Sequence, residues 1–185
     1  MKTIIFNGSP RKNGDTSFLV EKLKNSLLGE TKIVSTYYSG IQPCADCRYC
    51  WKTVGCCIDD DMQLIYNDLK EADCIIIASP LYFSELTGSL LNVLSRLQTF
   101  YASKRFLKIQ QLEKPKVGAL ILCGGGDGGP KKAEETAQTL FKLMNTKNCR
   151  IIYSLNTDTI PSRDDVEAIC QIELLAKHIN DSYAK

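Results

Sequence analysis

Four cysteines, Cys44, Cys47, Cys50 and Cys56, follow one another with the spacing C-x2-C-x2-C-x5-C, and Cys57 stands directly behind them. Thiolates this close together can each give one sulfur to an iron of a four-iron cluster. They can equally hold a tetrahedral zinc, or remain redox-labile thiols. A second stretch of chemical interest runs from Asn7 to Ser17, NGSPRKNGDTS. Ser9, Asn13, Asp15, Thr16 and Ser17 supply short polar side chains there, and Arg11 can give charge-assisted hydrogen bonds to a phosphate. In a third, Pro80-Leu81-Tyr82-Phe83-Ser84, two aromatics sit beside backbone amides, which suits a flat heteroaromatic ring. A fourth, Gly124-Gly125-Gly126-Asp127-Gly128-Gly129, lets main chain approach such a ring closely.

The elements that must position these residues alternate along the chain. Thr3 to Phe6 is a β-branched, apolar run, and Phe18 to Leu28 carries apolar residues at helical spacing. The Asn7–Ser17 stretch therefore joins a strand to a helix start, where free N–H groups and the helix dipole favour an anion. Further strands are predicted at 32–38, 73–79, 117–123 and 150–155. Helices are predicted from Asp60, from Ser89 to about Tyr101, from Pro130, and from about Arg163 to Ser182, with a basic link over 104–114. Five β units alternating with helices predict an α/β fold of flavodoxin-like type, a five-stranded parallel sheet in the order 2-1-3-4-5 between helical layers. That order brings the loops at Gly8, Pro80 and Gly124 to one mouth. A phosphate seat at one end and a ring seat at the other describe flavin mononucleotide (FMN) better than a dinucleotide. Gly124, Gly126 and Gly129 do match G-x-G-x-x-G, but on the fourth strand, and the next suitable acid, Asp158, lies too far along for a dinucleotide fingerprint.

The 185 residues suit one domain over 1–185, with a cysteine-rich loop inserted at about 40–60. The 23 basic and 21 acidic residues nearly cancel, so no field draws nucleic acid or an anionic membrane. The N-terminus lacks a signal-peptide pattern, and nine cysteines then point to a reducing, cytoplasmic setting. One histidine, His178, leaves little basis for histidine catalysis. Cys74, Cys123, Cys149 and Cys170 lie in or beside apolar segments and read as buried thiols. Asp59, Asp60 and Asp61 read as an acidic first helical turn, and Tyr49 and Trp51 as anchors of the cysteine loop.

Gly8 to Ser17, the segment from Cys44 to Met62, and Ser79-Pro80-Leu81-Tyr82 resemble the NADPH-dependent FMN reductase family, in particular its cysteine-bearing branch close to the iron–sulfur flavoproteins. The resemblance implies FMN with its phosphate on Ser9, Arg11, Thr16 and Ser17 and its isoalloxazine against Pro80 to Ser84, with the Gly124 loop alongside. It implies homodimers or homotetramers, and relatives often carry lysine where Leu91 stands and aspartate where Ser95 stands, while Arg96 matches. The activity expected is hydride transfer from NADH or NADPH to FMN, then electron transfer to a small acceptor: a flavin, quinone, nitro compound or metal ion. No side chain is then required as acid or base. Two other roles follow from the cysteines: an electron carrier between FMN and a 4Fe-4S cluster serving a redox partner protein, or a thiol sensor.

Overall fold

Parallel neighbours need a long crossover between them, and in this chain every strand is followed by a helical segment before the next strand begins. The computed structural model describes residues 1–183. Its strands are β1 (Lys2–Asn7), β2 (Glu30–Ser35), β3 (Cys74–Pro80), β4 (Lys116–Gly124) and β5 (Thr146–Leu155). They pair in the order β2-β1-β3-β4-β5, all parallel, as the sequence predicts. The helices are α1 (Asp15–Ser26), α2 (Met62–Glu71), α3 (Gly88–Ser95), α4 (Gln98–Ala102), α5 (Lys131–Leu143) and α6 (Val166–Tyr183).

The apolar strands are buried on both faces, and alternate residues serve the two layers. Ile75 and Ile77 point into a core shared with α2, α3 and α5, while Cys74, Ile76 and Ala78 point to α1 and α6. Strand polarity carries every strand-to-helix loop to the carboxyl edge of the sheet. The loop over 8–14 follows β1, the cysteine loop follows β2, the aromatic loop follows β3 and the glycine loop follows β4.

Several boundaries differ from the sequence reading. α1 begins at Asp15, so the polar triplet Asp15-Thr16-Ser17 is its first turn. β5 starts at Thr146, because Thr146 and Lys147 pair with Lys116 and Val117 although their side chains give no strand pattern. The helix expected over Ser89–Tyr101 is two helices. Tight i→i−3 bonds from Arg96 N to Val93 O (3.1 Å) and from Leu97 N to Leu94 O (3.0 Å) break it, and a π turn, Ser103–Leu107, extends it. Cys170 is exposed rather than buried, since it lies off the Ala168, Ile172, Leu175, Ile179 stripe of α6. No helix among the described residues is long and apolar enough to cross a membrane.

Candidate functional site

Three loops meet around a cavity of about 180 Å³. The first contributes Ser9, Arg11, Asp15 and Thr16, the second Pro80, Leu81 and Tyr82, and the third Gly124 and Gly125. The first loop is folded by its own polar atoms. Ser9 N donates to Asn7 Oδ1 (3.0 Å), Arg11 N donates to Ser9 Oγ (3.2 Å), and Ser17 Oγ donates to the Arg11 carbonyl (2.9 Å). Gly14 is the N-cap of α1 and no side chain caps the helix. Thr16 is 1% exposed, lines the cavity, and its hydroxyl has no hydrogen-bond partner. Arg11 reaches Asp15 at 3.4 Å with its side chain largely in solvent.

The second loop is a tight hairpin. Tyr82 N donates to Glu85 O (3.0 Å) and Glu85 N to Tyr82 O (3.1 Å), with Phe83 and Ser84 between them at φ +55° and +64°. Both central residues are left-handed, as a type I′ turn demands, without the glycine that usually supplies it. Glu85 steadies the turn by accepting from Leu86 N (2.8 Å) and Thr136 Oγ1 (2.9 Å). In the third loop, Gly124 O accepts from Asn156 N (2.6 Å) and Thr157 N (3.0 Å), which ties it to the segment after β5. A Cβ on Gly125 would run into the Asp158 carboxyl, whereas one on Gly126 or Gly129 would meet nothing within 4 Å.

Not every residue singled out in the sequence reaches the cavity. Ser17 is buried beneath the loop that it braces. Asn13 is exposed, and Phe83 is 98% exposed at the hairpin tip. Ser84 faces Gly128, and Gly126 and Gly129 lie on the open rim. In exchange, Cys123, Thr157 and Asp158 line the cavity. Burial pushes the Cys123 thiol up to about 11. Asp158 was discernible as the acid following a glycine run, but its distance along the chain hid its closeness in space.

The cysteine loop folds back over α4 and encloses a second cavity, of about 460 Å³. Cys44, Cys47, Cys50 and Cys56 all line it, while Cys57 does not. All nine cysteines are free, and Cys47 Sγ lies 3.4 Å from Cys57 Sγ. Trp51 stacks on Phe106 with ring centroids 4.3 Å apart, and the Arg48 guanidinium lies over Trp51. Cys44 N donates to Ser95 Oγ (2.9 Å). The acidic triplet is not a simple helix start: Asp60 turns inward to pair with Arg96 at 2.7 Å. Burial works to raise the Asp60 carboxyl, but the Arg96 guanidinium and the Gln42 and Met62 amides outweigh it and hold it below its usual range. Burial, then the neighbouring thiols, raise Cys50, while the Tyr49 amide and the Cys57 thiol lower Cys47. Tyr38, in the turn right after β2, donates its hydroxyl to the Pro10 carbonyl of the first loop (2.6 Å).

Comparison with known proteins gives this geometry a lineage. Over 147 residues the chain is 33% identical to an iron–sulfur flavoprotein of Methanocaldococcus jannaschii, covering 78% of this chain and 72% of that one. It is 30% identical over 188 residues to an iron–sulfur flavoprotein of Archaeoglobus fulgidus, covering 99% of this chain and 80% of the relative. An FMN-dependent NADH-azoreductase from Bacillus anthracis, solved with FMN, superposes with a TM-score of 0.71 at 14% identity, over 97% of this chain and all of that one, which shows the shared fold. The family model described as NADPH-dependent FMN reductase matches residues 1–158, and the chain belongs to that family of oxidoreductases.

Proposed function

We propose that the chain is an FMN-dependent NAD(P)H oxidoreductase that passes electrons to a small acceptor, of the class of a flavin, quinone, nitro compound or metal ion. The observation that carries this reading is Thr16. A buried hydroxyl without a partner, in a cavity beneath an uncapped helix N-terminus, is unfavourable as it stands. Phosphate oxygens would satisfy the hydroxyl and the first-turn N–H groups together. The pocket holds about 180 Å³, below the roughly 300–1,000 Å³ usual for a whole small-molecule site. It would therefore take the phosphate end of FMN, with the flat ring over Tyr82 and the open rim at Gly126.

When bound, FMN would supply hydride acceptance from a nicotinamide and onward electron transfer. The chain's own residues bind and orient. Ser9 and Ser17 hold the loop, Arg11 would turn from Asp15 to the phosphate, Gly125 makes room for the Asp158 carboxyl, and Gly126 leaves the rim open. Asp15 stays in place through Ser162 N, which donates to its Oδ1 (2.9 Å). Homodimers or homotetramers, a cytoplasmic setting and one FMN-binding domain interrupted by the cysteine loop belong to the same proposal.

A second reading, an electron carrier, is favoured by the cysteine cavity. Cys44, Cys47, Cys50 and Cys56 surround a space rather than a point: no three His, Cys, Asp or Glu side chains among the described residues stand close enough to hold a metal ion. Four thiols around a cavity fit in kind a 4Fe-4S cluster, one sulfur to each iron. Arg105 in the wall would offset part of its negative charge, the Arg96 charge being taken up by Asp60. An absorption spectrum of protein purified without oxygen tests both readings. Flavin colour lost as NADPH is added to cluster-free protein supports the reductase. An iron–sulfur chromophore with matching iron and sulfide supports the carrier. Colourless protein that takes up no added FMN overturns the flavin assignment.

A further inference from the structure

We infer that Cys47 and Cys57 are a dithiol that oxidation closes into a disulfide, and that closing it withdraws Cys47 from the cavity quartet. Four observations lead there. First, the two sulfurs lie 3.4 Å apart, and no other two thiols among the described residues are hydrogen-bonded to each other. An approach of roughly 1.4 Å would bring them to the ~2.05 Å of a disulfide bond. Second, both side chains are exposed, so a small oxidant can reach them.

Third, Cys47 belongs to two sets at once. It lines the cavity with Cys44, Cys50 and Cys56, and it touches Cys57, which lies outside. One sulfur cannot serve as thiolate ligand and disulfide partner together, so the two states exclude each other. Fourth, Cys47 stands between two strained residues, Asp46 at φ +47° and Arg48 at φ +61°, neither of them glycine. Such backbone is unfavourable for a residue with a side chain and persists only where the surrounding structure holds it, often at functional sites.

The reaction is thiol–disulfide exchange with a low-molecular-weight disulfide such as oxidised glutathione. One protein thiolate attacks a glutathione sulfur; a mixed disulfide forms and one glutathione thiol leaves. The second protein thiolate attacks the protein-side sulfur and expels the second glutathione. The protein pair is oxidised by two electrons, the oxidant is reduced by two, and the two protons end on the glutathione thiols. Excess thiol reverses it.

The disulfide half of this inference stands alone, and the exclusion half rests on the cluster reading above. Full-length protein is reduced, desalted, treated anaerobically with oxidised glutathione, then denatured, alkylated and digested for mass spectrometry. The expected product is a linked peptide pair lacking two hydrogens. It forms in the wild type and in Cys56→Ser, and is lost in Cys57→Ser and in Cys57→Ala, where a glutathione adduct at Cys47 replaces it. A linked pair that survives in Cys57→Ser, or two freely alkylated cysteines in treated wild type, overturns it. In a second arm, iron and sulfide are offered without thiol to the dithiol and disulfide forms. Uptake by the dithiol alone is expected. Equal uptake overturns the exclusion, and uptake by neither overturns the cluster reading while the peptide map still decides the disulfide.

Discussion

Arg96 Nη1 donates to Asp60 Oδ2 at 2.7 Å and to the Gln42 carbonyl at 2.9 Å, while Nη2 reaches the Ile58 carbonyl at 3.3 Å. One guanidinium at the break between α3 and α4 thus ties down both ends of the cysteine loop. Asp60 completes the knot by accepting from Gln42 N (3.1 Å) and Met62 N (3.1 Å). Arg96 is 1% exposed and carries Asp60 with it into the interior. Arg96→Met leaves the Asp60 charge without its cation and two carbonyls without that donor, and removing one partner of a buried pair costs about 3–5 kcal/mol. Urea denaturation is expected to show that loss, and Asp60→Leu added to Arg96→Met to recover part of it. An unchanged midpoint in Arg96→Met would show that the knot adds nothing to stability.

Thr16→Val separates folding from ligand binding. Removing an unsatisfied buried hydroxyl at nearly constant volume stabilises the FMN-free protein by about 1 kcal/mol. The same change removes a donor from the proposed phosphate seat and is expected to weaken FMN binding by a factor of about 5–10. Opposite signs in thermal melts without and with FMN are the diagnostic result. Arg11→Ala is expected to leave the FMN-free melt unchanged, because its partner contact is 3.4 Å long and solvated. It should lower FMN affinity roughly tenfold through the lost charge-assisted bond; equal affinity would remove Arg11 from the seat.

The glycine loop gives a contrast between neighbours. Gly125→Ala forces a methyl group into the Asp158 carboxyl and should destabilise the protein by about 2 kcal/mol, as overpacking does. Gly126→Ala meets open space and should fold normally. If the flavin ring lies over that rim, Gly126→Leu also folds but loses FMN affinity and shifts the bound-flavin spectrum. Titration of purified variants with FMN reads both quantities.

Thiol reactivity should divide along the same structural lines, because the thiolate is the reactive form. Burial pushes the Cys74 thiol up to about 12 and Cys123 and Cys149 up to about 11. These groups stay protonated in the native protein where an unfolded cysteine ionises, so they favour the fold less as pH rises above about 9 and through their native values. Native alkylation at pH 8 followed by mass spectrometry should spare Cys74 and Cys123. Cys47, whose thiolate the Tyr49 amide stabilises, should react at lower pH than Cys50. Modification of Cys74 as fast as Cys47 would contradict the burial.

The layered α/β fold was legible because near-continuous apolar runs such as Cys74–Ala78 have one economical solution, a parallel sheet covered on both faces. The loops after β1 and β2 stood out for a different reason: each carries its polar or thiol residues locally, by type at short spacing. What the linear chain could not encode visibly was anything joining distant positions by shape. Asp158 meets Gly125 across 33 residues, and Arg96 meets Asp60 across 36. Such contacts depend on strand order, helix breaks and which loop folds over which. The helix break at Arg96, the inward turn of Asp60 and the closeness of Cys47 to Cys57 were therefore decided only by tertiary packing, where a buried charge must find partners and the loop must go where they are.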